Sequence, residues 1–157
     1  MSRFSLPAMA IAMVAGLQII SCTNKGPIEI NYGQDQCDYC KMTIADKKFG
    51  AELVTSKGKI YKFDSIECLA AYRYTSSISA EQIHSMLVTD FGYPGSFLNV
   101  DNAQIVASER QKSPMGMGLV AVATKLQAEK LIEVVGGKVC SWDQVLNLVS
   151  TDWKLAQ

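Results

Sequence analysis

The sequence predicts an α+β fold, with two related ββα(β)-type halves in one compact body. Three observations carry this. Segments of strand length, alternating or wholly apolar, recur between turn residues. Helix-start signals follow them, and a stretch of the first half is echoed in the second. In the echo, residues 58–66 line up with residues 137–145. Gly, Lys and Asp are shared, and Ile/Val, Phe/Trp and Ile/Val are conservative pairs.

Taken in order, the first strand is expected over residues 49–55, where Phe49, Ala51 and Leu53 alternate with Gly50 and Glu52. Ser56, Lys57 and Gly58 turn the chain, and residues 59–63 return as a second strand. Asp64 is expected to cap a helix, with Glu67 completing a capping box and Ile66, Leu69, Ala70 and Arg73 at helical spacing. A strand over residues 86–91 closes the half at the Gly92-Tyr93-Pro94-Gly95 turn, and the halves join near residues 92–102. In the second half, residues 118–123 form the counterpart of the first strand. Thr124 and Gln127 then start an added helix that Gly136 and Gly137 end after Val135. The last helix carries Trp142, Val145, Leu146, Val149 and Trp153 on one face.

The chain opens Met1-Ser2-Arg3, then runs apolar over residues 4–20, broken only by Ser5, Pro7, Gly16 and Gln18. This reads as an export signal rather than a membrane span, because polar residues follow at once. Ile19-Ile20-Ser21-Cys22 resembles the bacterial lipobox, with cleavage before Cys22 and acylation of its sulfur. The expected organisation is a signal peptide at 1–21, a polar tether at 22–34, a first ββαβ-like half at 35–91 and a second half at 92–157. The protein is thus expected in the cell envelope, periplasm-facing and held to a membrane by lipid. A mature chain of about 136 residues is long enough to bury one core. Loss of Arg3 would leave 14 basic against 15 acidic side chains, and this balance offers nothing to nucleic acid.

Cys37, Cys40 and Met42 form the sharpest local signal, a CxxCxM loop. Thiolate and thioether are soft donors that select Cu(I) over harder ions, and a thioether argues against zinc. Met115 and Met117 form a second sulfur loop between Pro114, Gly116 and Gly118, where packing does not obviously require them. The reading is one Cu(I) held by Cys37, Cys40 and Met42, with Met115 or Met117 closing the site. Three alternatives stand beside it: an inert Cys37–Cys40 disulfide, an envelope thiol–disulfide oxidoreductase using the same pair, and half of a structural zinc site. Cys68 and Cys140 read as buried structural thiols, His84 as a surface or helix-end residue, and Asp64 and Asp143 as helix caps. No Ser-His-Asp set, carboxylate pair or cofactor loop is present, so no enzyme is expected.

These residues together resemble the NosL family, lipoproteins that act as copper chaperones for nitrous oxide reductase. The resemblance spans about residues 30–150. It rests on Cys37-x-x-Cys40-x-Met42, the run from Phe63 to Leu69 that includes Cys68, Val88-Thr89-Asp90-Phe91, the stretch 99–108, and Pro114-Met115-Gly116-x-Gly118-Leu119. It implies a fold similar to organomercurial lyase, with two homologous halves. It also implies Cu(I) carriage by the first sulfur motif and delivery to nitrous oxide reductase or another cuproprotein. Family members often carry Asp-Gly-Met where this chain has Cys40-Lys41-Met42, so the resemblance bears on Cys37 and Met42 more directly than on Cys40.

Overall fold

The computed structural model describes residues 26–155. The expected signal peptide and Cys22 lie outside them. The chain forms β1 (Ala51–Thr55), β2 (Ile60–Phe63), α1 (Ile66–Thr75), β3 (Ile83–Thr89), β4 (Phe97–Asn99), β5 (Gln104–Ala107), β6 (Leu119–Val122), α2 (Lys125–Val135), β7 (Lys138–Cys140) and α3 (Trp142–Asp152). Two antiparallel sheets result, ordered β2-β1-β3-β4 and β6-β5-β7. One parallel bridge between Asp90 and Ala121 links them. The α+β class and the single body are as expected. None of the described helices is long and apolar enough to cross a membrane.

A ββαβ unit does repeat, but in a different register from the sequence echo. In the first sheet β1 is flanked by β2 and β3, and α1 carries the chain across from one to the other. In the second, β5 is flanked by β6 and β7, and α2 makes the same crossing. Two strands that lie parallel on either side of a third need such a connection, because a tight turn cannot span it. The counterpart of β1 is therefore β5, not the strand at 118–123. The echoed segments also differ locally, since α1 starts three residues after Phe63 whereas α3 starts on its aligned partner Trp142. With three identities in nine positions, the echo does not mark equivalent places.

Sequence patterning fails at β5 for a physical reason. Ile105 and Val106 are both buried, Ile105 in the main core and Val106 in a second cluster with Phe49, Val120, Val122 and Ala128. A strand buried on both faces shows no alternation. α2 covers the Val106 face with Leu131 and Ile132, while α1 and α3 pack on the opposite side.

The helix starts are local and mostly legible. Thr124 and Gln127 form the expected capping box on α2, and Gly136 ends the helix at φ 67°. Asp64 and Asp143, however, are not caps. Ser65 caps α1 by accepting from the Cys68 N–H, and Ser141 caps α3 in a capping box with Gln144. Glu67 is instead turned into the interior. Of the residues read as tether, Ile30 is buried in the main core and the Ile28 N–H donates to Glu52 Oε2 at 3.2 Å. The polar composition hid a segment that packs.

Candidate metal centre

The CxxCxM loop is a tight reversal. Gln36 bridges Thr43, the Cys37 N–H donates to the Met42 carbonyl at 2.8 Å, and the Lys41 N–H donates to the Cys37 carbonyl at 3.0 Å. Lys41 takes the left-handed conformation at φ 64°, uncommon for a residue with a Cβ. The loop is tied to β2 from both sides of one residue. The Asp38 N–H donates to the Lys62 carbonyl, and the Lys62 N–H donates to Asp38 Oδ2, each at 2.8 Å. Lys62 Nζ also pairs with Asp35 at 2.6 Å, with both side chains mostly covered. These contacts fix Cys37 against the start of α1.

There the loop meets Cys68, the third residue of that helix. The Cys37, Cys40 and Cys68 sulfurs all lie within 4.8 Å of one another. Cys37 and Cys68 are fully buried, and Cys40 is half-buried. A hydrogen bond from Cys68, helped by the backbone N–H groups of Asp64, Cys40 and Tyr39, holds the Cys37 thiol at a pKa of about 5 despite burial. The same bond to Cys37, with burial, pushes the Cys68 thiol far up. Burial raises Cys40 as well, against the Met42 N–H at its sulfur. The resting state at neutral pH is one thiolate flanked by two thiols. Burial, and next to it the Cys37 charge, lift the Asp64 carboxyl to about 6.

The structure thus brings together two of the expected ligands, Cys37 and Cys40, and adds Cys68, which composition and spacing assign to the core. The signal for Cys68 lies in the Phe63–Leu69 block of the family resemblance. Met42 stands 58% exposed at the end of the same loop. Met115 and Met117 are half-buried against the main core, and Met117 lines a groove with Arg110, Gly136, Lys138 and Leu148. Their loop connects β5 to β6 and so corresponds to the β1–β2 turn, not to the CxxCxM loop. It is linked to the cysteine helix through Glu67. The Ser113 hydroxyl donates to Glu67 Oε1 in a very short hydrogen bond, and the Leu119 N–H approaches the same oxygen at 3.5 Å. Gly118 is fixed by close approach, since a Cβ there would run into the Ser108 carbonyl. Cys140 is a buried thiol outside the trio, and His84 is exposed on β3.

Three sulfurs bound at about 2.3 Å around one ion in a plane lie about 4 Å apart, which this trio meets with small adjustments. The fold and the trio define the class: a small α+β protein whose buried thiols fit a soft metal ion. The chain belongs to the NosL family, whose sequence profile matches residues 27–149. Among solved structures it is similar to the crystal structure of the copper chaperone NosL from Shewanella denitrificans. That match has a TM-score of 0.65 and 25% identity, and covers 76% of this chain and 95% of the other. Comparison with curated proteins gives no match.

Proposed function

We propose that this protein is a lipid-anchored, periplasm-facing carrier of Cu(I) that delivers the ion to nitrous oxide reductase or a related cuproprotein. The observation that carries the reading is the Cys37–Cys40–Cys68 trio. Three soft donors, two of them fully buried, suit Cu(I), whereas a structural zinc ion takes four ligands. Among the described residues the group comprises three, with no histidine or carboxylate as a fourth. The similar protein from Shewanella denitrificans is a copper chaperone, which supports copper as the cargo here. Closure of the Met115–Met117 loop over the ion would add a thioether to the three thiolates.

The charge pattern favours a carrier over a thiol–disulfide oxidoreductase. An exchange enzyme presents an accessible thiolate. Here the thiolate, Cys37, is the buried sulfur, and the accessible one, Cys40, is held protonated.

Anaerobic titration of the reduced protein against a chromophoric Cu(I) chelator, with Zn(II) in competition, tests this. Cys37→Ser and Cys68→Ser are each expected to weaken Cu(I) binding by at least about a hundredfold, the scale of losing a charged soft donor, while Cys140→Ser binds as wild type. Retention of Zn(II) with exclusion of Cu(I) would identify a zinc site instead. For the anchor, Cys22→Ala is expected to release the protein from the membrane fraction or leave it unprocessed. Normal processing and attachment in that variant would remove the lipid from the reading.

A further inference from the structure

The segment before the cysteine loop is fixed to the body of the fold from Ile28 onward. The Ile28 N–H donates to Glu52 Oε2 at 3.2 Å, the Glu29 carbonyl accepts from Lys62 Nζ at 2.9 Å, and Ile30 is buried in the main core. Beside it stands the turn between β3 and β4. There the Tyr93 N–H donates to the Asp90 carbonyl at 3.0 Å, the Ser96 N–H to the Tyr93 carbonyl at 3.0 Å, and the Gly92 N–H to Asp90 Oδ1 at 2.8 Å. Segment and turn wall a groove of about 480 Å³, to which the first contributes Pro27 and Ile28 and the second Pro94. Ile28 is 49% exposed, and Tyr93 is held out on the closed turn at 66%. Lys47, which also lines the groove, lies over the Tyr32 ring at 6.0 Å, and Lys48 over the Phe91 ring at 5.7 Å. None of the three clustered cysteines lines this groove.

We propose that this face lies on the lipid surface to which the protein is anchored, so that the domain is held in one orientation instead of swinging on its lipid. The proposal rests on the anchor reading of Cys22. Ile28 comes six positions after Cys22, so however the chain between them runs the two stand at most about 22 Å apart. A domain of about 130 residues is roughly 36 Å across. Its far side therefore cannot reach the bilayer while the lipid is inserted, and Ile28 never stands beyond that short reach. Chemistry selects among the orientations that remain. Ile28 and Tyr93 offer apolar area, and a tyrosine ring with a polar tip suits the boundary between headgroups and acyl chains. Lysines at an apolar rim lay their stems on it and keep their charges in water. So short a tether gives the face a high effective concentration at the membrane, and a contact too weak to bind the free protein is occupied once the lipid is in. Release of the Cys22→Ala protein from the membrane is consistent with such a contact.

The test uses the mature lipoprotein, its acylation checked by mass, in phosphatidylcholine vesicles with and without bromine on the acyl chains. A zwitterionic lipid suffices as the probe, because Glu29 and Asp46 offset Lys47 and Lys48 on this face. Tyr93→Trp and Val139→Trp are each read as the difference from wild type, whose Trp142 and Trp153 give the background. Val139 lies on β7, two strands across the second sheet from β6, which bridges to Asp90 beside the turn. The Tyr93→Trp indole is expected to lose at least about half its emission to bromine, since interfacial side chains sit about 5–10 Å into the headgroup and acyl boundary. The Val139→Trp indole is expected to lose almost none. Equal quenching at both positions, or none at position 93, in lipidated and vesicle-bound protein would overturn the docking face and leave the anchor standing. Tyr93→Trp protein that escapes bromine, while its copies crosslink to one another through this face, would assign the face to a second copy and overturn the proposal too. Mature protein that carries no lipid would sink the anchor reading and this proposal together.

Discussion

Cys37 keeps its negative charge at the bottom of the site because Cys68 and three backbone N–H groups donate to it; that bond to Cys37 holds the Cys68 proton in turn, and burial first of all holds that of Cys40. A trio that binds metal through all three sulfurs must release those protons as the ion enters. Above about pH 5 Cys37 is already ionised, so the protons released come from Cys40 and Cys68, whose affinities for protons are raised. Cu(I) affinity is therefore expected to rise with pH, by about tenfold per pH unit for each proton released. Competition titrations at about pH 6 and about pH 8, with the chelator's own protonation corrected, check this. Affinity that is flat over that range would mean the ion is held by Cys37 without displacing protons from its neighbours. Tyr39, between the two loop cysteines, stacks on Trp153 with ring centroids 5.9 Å apart and planes 18° from parallel. The end of α3 is thereby placed against the loop that carries Cys37 and Cys40.

Among the elements, the segment before the cysteine loop acts as part of the first sheet's cover. Ile30 enters the core, Lys62 Nζ donates to the Glu29 carbonyl at 2.9 Å, and the Ile28 N–H donates to Glu52. Glu52 lies in β1 and is fully buried, with Oε1 lacking a partner. Burial pushes its pKa up to about 7, against the opposing pull of the Ile28 N–H and Lys62. A carboxyl whose folded pKa is raised favours the folded state in its neutral form. Its contribution is complete below the ordinary value of 4.5 and is lost as pH rises through about 7. Glu52→Gln keeps the shape and removes the ionisation. It is expected to flatten the fall in stability between these values and to raise stability near pH 8 by about 2 kcal/mol, read by urea unfolding of both proteins across the range. An identical pH profile for wild type and variant would show that Glu52 ionises in the folded state at no cost.

Over the whole molecule, one core joins both ββαβ units. Phe63, Leu69 and Cys68 from the first lie in the same cluster as Ile105, Leu119, Val145 and Val149 from the second half. The shared wall consists of α1 and α3 side by side, with α1 also against β6. The cysteine trio sits on the first unit's side of that wall, and Glu67, next to Cys68, reaches across it to Ser113. The second unit thus supplies no cysteine to the trio, but it supplies the packing that buries Cys68 and the loop that Glu67 holds.

Features that depend on neighbours along the chain were legible before folding. The α2 capping box, the β1–β2 turn, the apolar face of α3 and the Cys37–Cys40 pair are all set by residues within a few positions of one another. The α+β class followed from these, and the resemblance supplied the family. Tertiary structure decided the rest, because burial is a property of surfaces that meet from distant places. β5 escaped the pattern because both its faces are covered, and Glu52 looked like a solvent position until residues 28–32 packed over it. Cys68 read as a core thiol, and buried it is. Only folding brings it within 4.8 Å of Cys37 and Cys40. Spacing along a chain fixes which donors can share a loop, whereas the helix packed on that loop decides which sulfurs come together.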